Sequence, residues 1–170
     1  MDENTKQDEL EVRAREMLIE RGVTTDDIAD LVYYLQSSYH DNLDLETCHY
    51  NVDRVLTKRE VQTAILTGIQ LDKLAEQNKL EQPLQKIIET DESLYGIDEI
   101  IAFSIVNVYG SIGFTNYGFI DKQKPGILER LNDQSTGEVH TFLDDIVGAI
   151  AAAASSRLAH ANADDKLLDD

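Results

Sequence analysis

The sequence predicts an all-α fold, a compact bundle of about seven or eight helices around a buried central helix. Apolar residues recur at helical spacing in nearly every segment, and the alternation expected of strands is almost absent. Only two prolines and nine glycines interrupt the 170 residues. Apolar residues make up 42% of the chain and charged residues 28%, which is typical of an ordinary globular domain.

Four helices are predicted in the first half of the chain, each from an apolar stripe and an end signal. The first ends at Gly22, and Thr24 or Thr25 then caps the second. The segment 39–45 is predicted to be a loop. The first, third and fourth helices are predicted over about 8–21, 46–56 and 58–77. The second helix carries its apolar face on Ile28, Leu31, Val32 and Leu35.

The second half is predicted to contain two short helices and two strongly apolar ones. The short helices cover about 83–90 and 125–131, and a polar loop follows over 132–138. The apolar helices cover about 97–109, with a bent continuation through 110–118, and 139–161. We expect these two apolar helices to be the most buried. The whole chain, 1–170, forms one domain, with 1–7 and 162–170 expected to fray.

Charge and composition exclude several classes of function. A formal net charge of −18 argues against nucleic acid and against an anionic membrane surface as partners. The acidic N-terminus does not resemble a signal peptide, and the longest mostly apolar stretch, 100–114, is too short for transmembrane insertion. A single cysteine, Cys48, excludes an intramolecular disulfide, so a cytoplasmic location is expected.

Two pairs of adjacent acids lie near the predicted starts of the two apolar helices. Asp98 and Glu99 precede one apolar run, and Asp144 and Asp145 open a helix rich in small residues. An unpaired carboxylate is costly to bury, so acids from the two helices could share one divalent cation such as Mg²⁺. Acids at a helix start also interact favourably with the helix dipole. Composition and spacing leave both interpretations open.

Two basic residues are candidates for binding an anionic group. Lys124 lies on a predicted turn in an otherwise acidic chain, where it can contact an anion as a point charge. Arg59, at the start of the fourth helix, can bind a phosphate with two parallel hydrogen bonds. A solvated loop and an ordinary charged helix start are the competing interpretations of these positions.

Three motifs in the second half of the chain resemble the phosphatidylglycerophosphatase A family. That family carries an Asp-Glu motif, then an aspartate shortly before Lys-Pro, and then Asp-Asp-Ile-Val at the start of a small-residue helix. The matching residues, in the same order, are Asp98, Glu99, Asp121, Lys124, Pro125, Asp144 and Asp145. The similarity covers roughly 92–154. Because the chain has no segment long enough to span a bilayer, it resembles a short soluble branch of the family without transmembrane helices.

The resemblance implies a Mg²⁺-dependent phosphatase of phospholipid metabolism that removes phosphate from phosphatidylglycerol phosphate. It implies that Mg²⁺ is held by Asp98, Glu99, Asp144 and Asp145. Asp121 and Asp145 take catalytic roles in this hypothesis, and Lys124 binds the phosphate. Arg59, which lies outside the resemblance, is added as a second phosphate-binding candidate.

Two functions therefore compete at this point. The first is a metal-dependent phosphomonoesterase whose substrate is a phosphomonoester, with a lipid head group as the family's example. The second is a non-catalytic helical module that binds a cation or acts in assembly, which the absence of the family's N-terminal Pro-Gly-Thr and Gly-Ser-Leu region favours. A homo-oligomer is expected under either function, because apolar surface is concentrated in two helices.

Overall fold

A computed structural model describes residues 3–167, with side chains described from 8 to 161, and its architecture confirms the all-α prediction. Within these residues there are nine α-helices and no strand. They are α1 Glu3–Glu20, α2 Thr25–Gln36, α3 Leu45–Leu56, α4 Arg59–Glu76, α5 Leu84–Glu89, α6 Ile97–Val106, α7 Ile112–Gln123, α8 Ile127–Leu131 and α9 Leu143–Leu167. None of the described helices combines the length and apolar character that crossing a membrane requires. The segments expected to fray, 1–7 and 162–170, lie outside the described side chains.

The predicted helix ends are formed by local hydrogen bonds. Gly22, two residues after the end of α1, adopts a left-handed φ of 75°, a conformation that glycine adopts without steric cost. Thr24 then caps α2: its hydroxyl accepts from the Asp27 N–H at 3.1 Å, while the Asp27 carboxylate accepts from the Thr24 N–H at 2.8 Å. Asp44 caps α3 by accepting from the Thr47 N–H at 2.7 Å. Each cap satisfies backbone donors that a helix start leaves unpaired.

Helix α9 is the buried central helix that the sequence predicts. From Phe142 to Ser156 every side chain is buried, and α2, α3, α4, α6, α7 and α8 all contact this helix. The run of alanines at 151–154 lets neighbouring helices approach closely, because small side chains bring backbones together. Each large apolar side chain that α9 buries, such as Ile146 or Ile150, stabilises the fold by about 1.5–3 kcal/mol.

The other apolar segment differs from its prediction in two ways. Helix α6 ends at Val106, and a 3₁₀ turn covers Asn107–Tyr109. Gly110, with a φ of 88°, then separates this turn from α7. The expected bent continuation of α6 is therefore a separate helix, α7. Helix α6 is also less buried than predicted, since Ile97 and Ile100 are 49% and 60% exposed. It contacts α4 and α9 through one face only, and apolar composition alone does not show how many faces a helix buries.

Substituting Gly148 with leucine is expected to destabilise the fold by about 1–3 kcal/mol, because the contact between α9 and its neighbours would be overpacked. A Cβ at this position would lie 3.6 Å from Ile120, 3.8 Å from Tyr117 and 3.9 Å from Leu128. Those are ordinary contact distances, so Gly148→Ala is the matched control and should be tolerated. Urea unfolding of both variants measures the difference. Equal stability of Gly148→Leu and the wild type would contradict the packing described here.

Candidate functional site

An acidic cavity of about 360 Å³ lies where the starts of α6 and α9 meet the end of α7. Among the described residues on its wall, Lys124 is the single cation. The acids on the wall are Asp91, Glu92, Asp98, Glu99, Asp121, Asp144 and Asp145. The two acid pairs predicted from the sequence and the predicted lysine therefore line one cavity.

The ammonium group of Lys124 lies among three carboxylates. Its Nζ donates to Asp121 Oδ1 at 2.6 Å and to Asp144 Oδ2 at 2.8 Å, and lies 3.9 Å from Asp145 Oδ1. Asp144 and Asp145 are almost fully buried, whereas Asp121 is half-buried at the cavity wall. The single lysine therefore neutralises part of the charge of three acids from two helices, α7 and α9.

The backbone at Lys124 is unusual for a residue with a side chain. Lys124 ends α7 in the left-handed conformation, with φ 46° and ψ 49°, and Pro125 follows it directly. For a non-glycine residue this conformation costs about 1–2 kcal/mol. Two short charge-assisted hydrogen bonds, to Asp121 and Asp144, offset that cost. The hydrogen bonds to the carboxylate cluster therefore stabilise Lys124 in its strained backbone conformation.

A buried acid on α4, Asp72, positions the start of α9. Its side chain is fully buried, and its carboxylate accepts from the backbone N–H groups of Phe142 and Leu143, both at 3.0 Å. Phe142 immediately precedes α9 and Leu143 is its first residue, so these N–H groups lie directly before Asp144 and Asp145. Asp72 was not predicted from the sequence, although it continues the apolar stripe of α4 at helical spacing after Ile69. An acid within such a stripe indicates a buried polar role.

Burial changes the protonation of the acids on α9. Burial raises the pKa of Asp144 to about 6, against the opposing effect of Lys124. Burial raises the pKa of Asp145 further, to about 10, because the neighbouring Asp144 charge adds to the effect. Burial alone would lower the pKa of Lys124, but the carboxylates of Asp144 and Asp121 raise it above its ordinary value. The lysine therefore stays charged, while the carboxylate pair binds protons when no other cation is supplied.

The metal-free protein is expected to lose stability as pH rises from about 4 to above 6. Asp144 and Asp145 both have a higher pKa in the folded chain than in the unfolded chain, so the folded state binds more protons in this window. Both acids contribute to this fall until Asp144, with a pKa of about 6, has lost its proton, and the contribution of Asp145 continues at higher pH. Thermal melts in EDTA between pH 4 and 8 measure the effect, with Asp145→Asn as the comparison. A pH dependence identical in the two proteins would contradict this account.

Three carboxylates in the cavity have the geometry to hold a metal ion. Asp121, Asp144 and Asp145 each offer one oxygen, and these oxygens lie within 4.8 Å of one another. Within the described part of the chain, no other group of three or more acids, histidines or cysteines has such spacing. Carboxylate oxygens are the ligands that Mg²⁺ prefers, so the chemistry of this donor set fits the ion.

The remaining predicted residues lie at different distances from this cluster. Asp98 is half-buried on the cavity wall, and its Oδ1 accepts from the Glu99 N–H at 3.0 Å, as expected of an acid at a helix start. Glu99 is exposed on the same wall. Arg59 does not line the cavity. It is the first residue of α4, whereas Asp72, which contacts the start of α9 beside the cavity, lies near the other end of that helix. The two residues are roughly 20 Å apart along the helix axis. The phosphate-binding candidate at the cavity is therefore Lys124 alone.

Two further residues at the site were not identified from the sequence. Asp91 lines the cavity in a left-handed conformation with a φ of 48°, and burial and the Asp98 charge raise its pKa. Tyr117, on α7, is 4% exposed, and its hydroxyl has no hydrogen-bond partner. No sequence signal marked Asp91, because it lies in a turn. Tyr117 precedes Asp121 by one helical turn, which was the available signal.

The fold and the cavity together define an all-α protein with a buried carboxylate cluster arranged around a cationic side chain. The chain belongs to the phosphatidylglycerophosphatase A family, whose sequence model matches residues 17–160. It is 68% identical over 160 residues to the uncharacterized protein YutG of Bacillus subtilis, covering 94% of this chain and 96% of that protein.

Solved structures of similar proteins share the fold. The low temperature requirement C protein from Listeria monocytogenes is 68% identical, with a TM-score of 0.89, covering 90% of this chain and 96% of that one. A protein of unknown function from Bacillus stearothermophilus is 73% identical, with a TM-score of 0.87, covering 88% of this chain and 93% of that one. The arrangement of helices described here is therefore that of its relatives.

Proposed function

We propose that this protein is a Mg²⁺-dependent phosphomonoesterase. The observation that carries the proposal is the cluster of Asp121, Asp144 and Asp145 around Lys124 in an open cavity. The cluster combines oxygen ligands for a divalent cation with a positive group for a phosphate. Membership of the phosphatidylglycerophosphatase A family supports the same reaction class.

In this proposal each group at the cavity has a distinct role. Asp121, Asp144 and Asp145 hold the cation, which supplies charge neutralisation for the phosphate when bound. Lys124 contacts the phosphate oxygens as a compact positive charge. Asp98 lies on the wall outside the cluster, and we assign it the role of accepting a proton from the attacking water. Asp72 acts at a distance, because it fixes the turn that carries Asp144 and Asp145.

The substrate we propose is the phosphate ester of a lipid head group, as the family name indicates. Three exposed apolar side chains lie at or beside the cavity. Leu94 is on its wall and fully exposed, and Ile97 and Ile100 follow along α6. Such a rim is suited to contact with the apolar part of a lipid whose phosphate enters the cavity. The wider surface is strongly acidic, so the apolar rim rather than charge supplies this contact.

Phosphate release from three phosphomonoesters tests the proposal. The substrates are phosphatidylglycerol phosphate in neutral detergent micelles, glycerol 3-phosphate and p-nitrophenyl phosphate, each assayed with Mg²⁺ and with EDTA. We expect release only with Mg²⁺, and fastest from the lipid ester. Faster release from glycerol 3-phosphate would replace the lipid with a water-soluble ester. Absence of release from all three in Mg²⁺ would refute the proposed reaction.

A non-catalytic cation-binding module is the second candidate. One observation favours it: Lys124 already pairs with Asp121 and Asp144, so the cluster forms a stable ion-pair network without any substrate. This candidate predicts that Mg²⁺ raises the melting temperature through preferential binding to the folded state, while no phosphate is released. The same purified protein therefore distinguishes the two functions in two measurements.

A further inference from the structure

The position between the three carboxylates is already filled by a cation, the ammonium group of Lys124. The three candidate ligand oxygens lie within 4.8 Å of one another, and Nζ lies 2.6 Å from Asp121 and 2.8 Å from Asp144. A space of that size has room for one cation centre, because two would lie in direct contact and repel each other. A divalent ion bound by the same oxygens therefore requires the ammonium group to leave.

Lys124 is placed to make such a move. Its side chain is about a quarter exposed, so one side of the four-carbon stem faces the open cavity. A lysine stem has enough rotatable bonds to carry the charge from the cluster to the cavity mouth without moving the backbone. The left-handed backbone at Lys124 keeps the start of that stem at the cavity in either position.

Tyr117 lies one helical turn before Asp121 on α7. Its buried hydroxyl has no hydrogen-bond partner, although such groups are nearly always paired in folded proteins. Burial raises the pKa of this hydroxyl, and the charges of Asp145 and Asp121 raise it further. A rearrangement of the cluster that turns a carboxylate oxygen of Asp145 towards the hydroxyl would supply the missing acceptor.

We infer that Lys124 and the divalent cation exchange places. The cation takes the position of the ammonium group between Asp121, Asp144 and Asp145, and the ammonium group moves to the cavity mouth. There it meets the phosphate oxygens of the substrate, a step that rests on the proposed function. Lysine and metal therefore compete for the same carboxylates, and the metal-free protein is not left with three unneutralised acids.

Competition between lysine and metal predicts that Mg²⁺ affinity rises when the ammonium group is removed. A lysine that only stabilises the fold predicts no such rise. Removing the ammonium group should strengthen Mg²⁺ binding, because the cation no longer displaces a bound competitor. We expect Lys124→Met to bind Mg²⁺ at least about tenfold more tightly than the wild type. Lys122→Met removes the same charge from an exposed position on the same helix, so it controls for long-range electrostatics and should bind within about twofold of the wild type.

Two measurements test the exchange. Isothermal titration gives the Mg²⁺ affinity of the wild type, Lys124→Met and Lys122→Met, after circular dichroism in EDTA has shown which variants are folded. The second measurement needs only the wild type: an amine-reactive reagent labels lysines with and without Mg²⁺, and mass spectrometry follows Lys124 against Lys122. We expect Mg²⁺ to accelerate labelling of Lys124 and to leave Lys122 unchanged.

The outcomes separate the exchange from the proposed function. Mg²⁺ binding that leaves Lys124 labelling unchanged or slower overturns the exchange, even if phosphate is released. Equal Mg²⁺ affinity in Lys124→Met and Lys122→Met overturns it as well. If neither the wild type nor Lys124→Met binds Mg²⁺, the exchange and the metal-dependent function are both refuted. Binding by Lys124→Met alone would show that lysine and metal compete for the same carboxylates, but it would overturn the exchange in the wild type and the metal-dependent function with it.

Discussion

Replacing Asp145 with asparagine is expected to remove most of the stabilisation that Mg²⁺ gives and to reduce phosphate release at least about 100-fold. Asp145 is one of three carboxylates that converge in the cavity, and an amide offers a weaker, neutral ligand. The same substitution should make the metal-free protein more stable. Burial and the adjacent Asp144 raise the pKa of Asp145, which shows that its charged form is disfavoured in the fold.

Melting temperatures in EDTA and in Mg²⁺ measure both effects of Asp145→Asn. Each 1 kcal/mol of added stability should raise the metal-free melting temperature by about 2–4 °C for a chain of this length. Glu92→Gln is the matched control, because it removes one charge from the same cavity wall outside the three-carboxylate cluster. A Mg²⁺-induced shift as large in Asp145→Asn as in Glu92→Gln would exclude Asp145 as a metal ligand.

Replacing Asp72 with alanine is expected to destabilise the protein by about 2–6 kcal/mol. The substitution leaves two buried N–H donors, those of Phe142 and Leu143, without their acceptor. An unsatisfied buried donor carries its full desolvation penalty, about 1–3 kcal/mol for each group. The start of α9 should then shift, and the Mg²⁺ affinity should fall together with the stability.

Two comparisons separate this capping role from general effects of charge. Asp72→Asn keeps one acceptor oxygen but turns an NH2 donor towards the other N–H, so it should lose stability, though less than Asp72→Ala. Glu60→Ala removes an exposed acid from the same helix and should change stability by no more than about 0.5 kcal/mol. Chemical denaturation at neutral pH measures all three variants. Similar losses for Asp72→Ala and Glu60→Ala would show that the anchoring of α9 contributes little.

The sequence predicted the helices well because each carries local signals. Capping residues such as Thr24 and breaks such as Gly22 act within a few residues, so their effects are readable from the chain alone. The burial of α6 was overestimated for the opposite reason. Ile97 and Ile100 are exposed because of how α6 contacts α4 and α9, and that arrangement depends on distant parts of the chain.

The cavity was predictable where acids lay in recognisable motifs. Asp98, Asp121 and Asp144, which belong to the three motifs that resemble the family, line one cavity. Asp72 was missed because its partners, Phe142 and Leu143, are backbone groups some 70 residues away, and backbone donors leave no trace in the sequence. Arg59 was assigned from its residue type alone. Arg59 lies far from the cavity because it begins α4 and the cavity lies near the other end of that helix. The type of a residue and its immediate neighbours do not predict such a distance.

The acidic wall of the cavity also determines the order in which ligands arrive. Seven acids and one lysine line it, so the local field repels a phosphate dianion before any contact forms. In the proposed function, a divalent cation is drawn in by the same field and reverses the sign of that field where the phosphate binds. Substrate capture therefore follows metal loading. With the metal-free protein, by contrast, the association rate of a phosphate ester should increase with ionic strength, because salt screens a repulsion rather than an attraction.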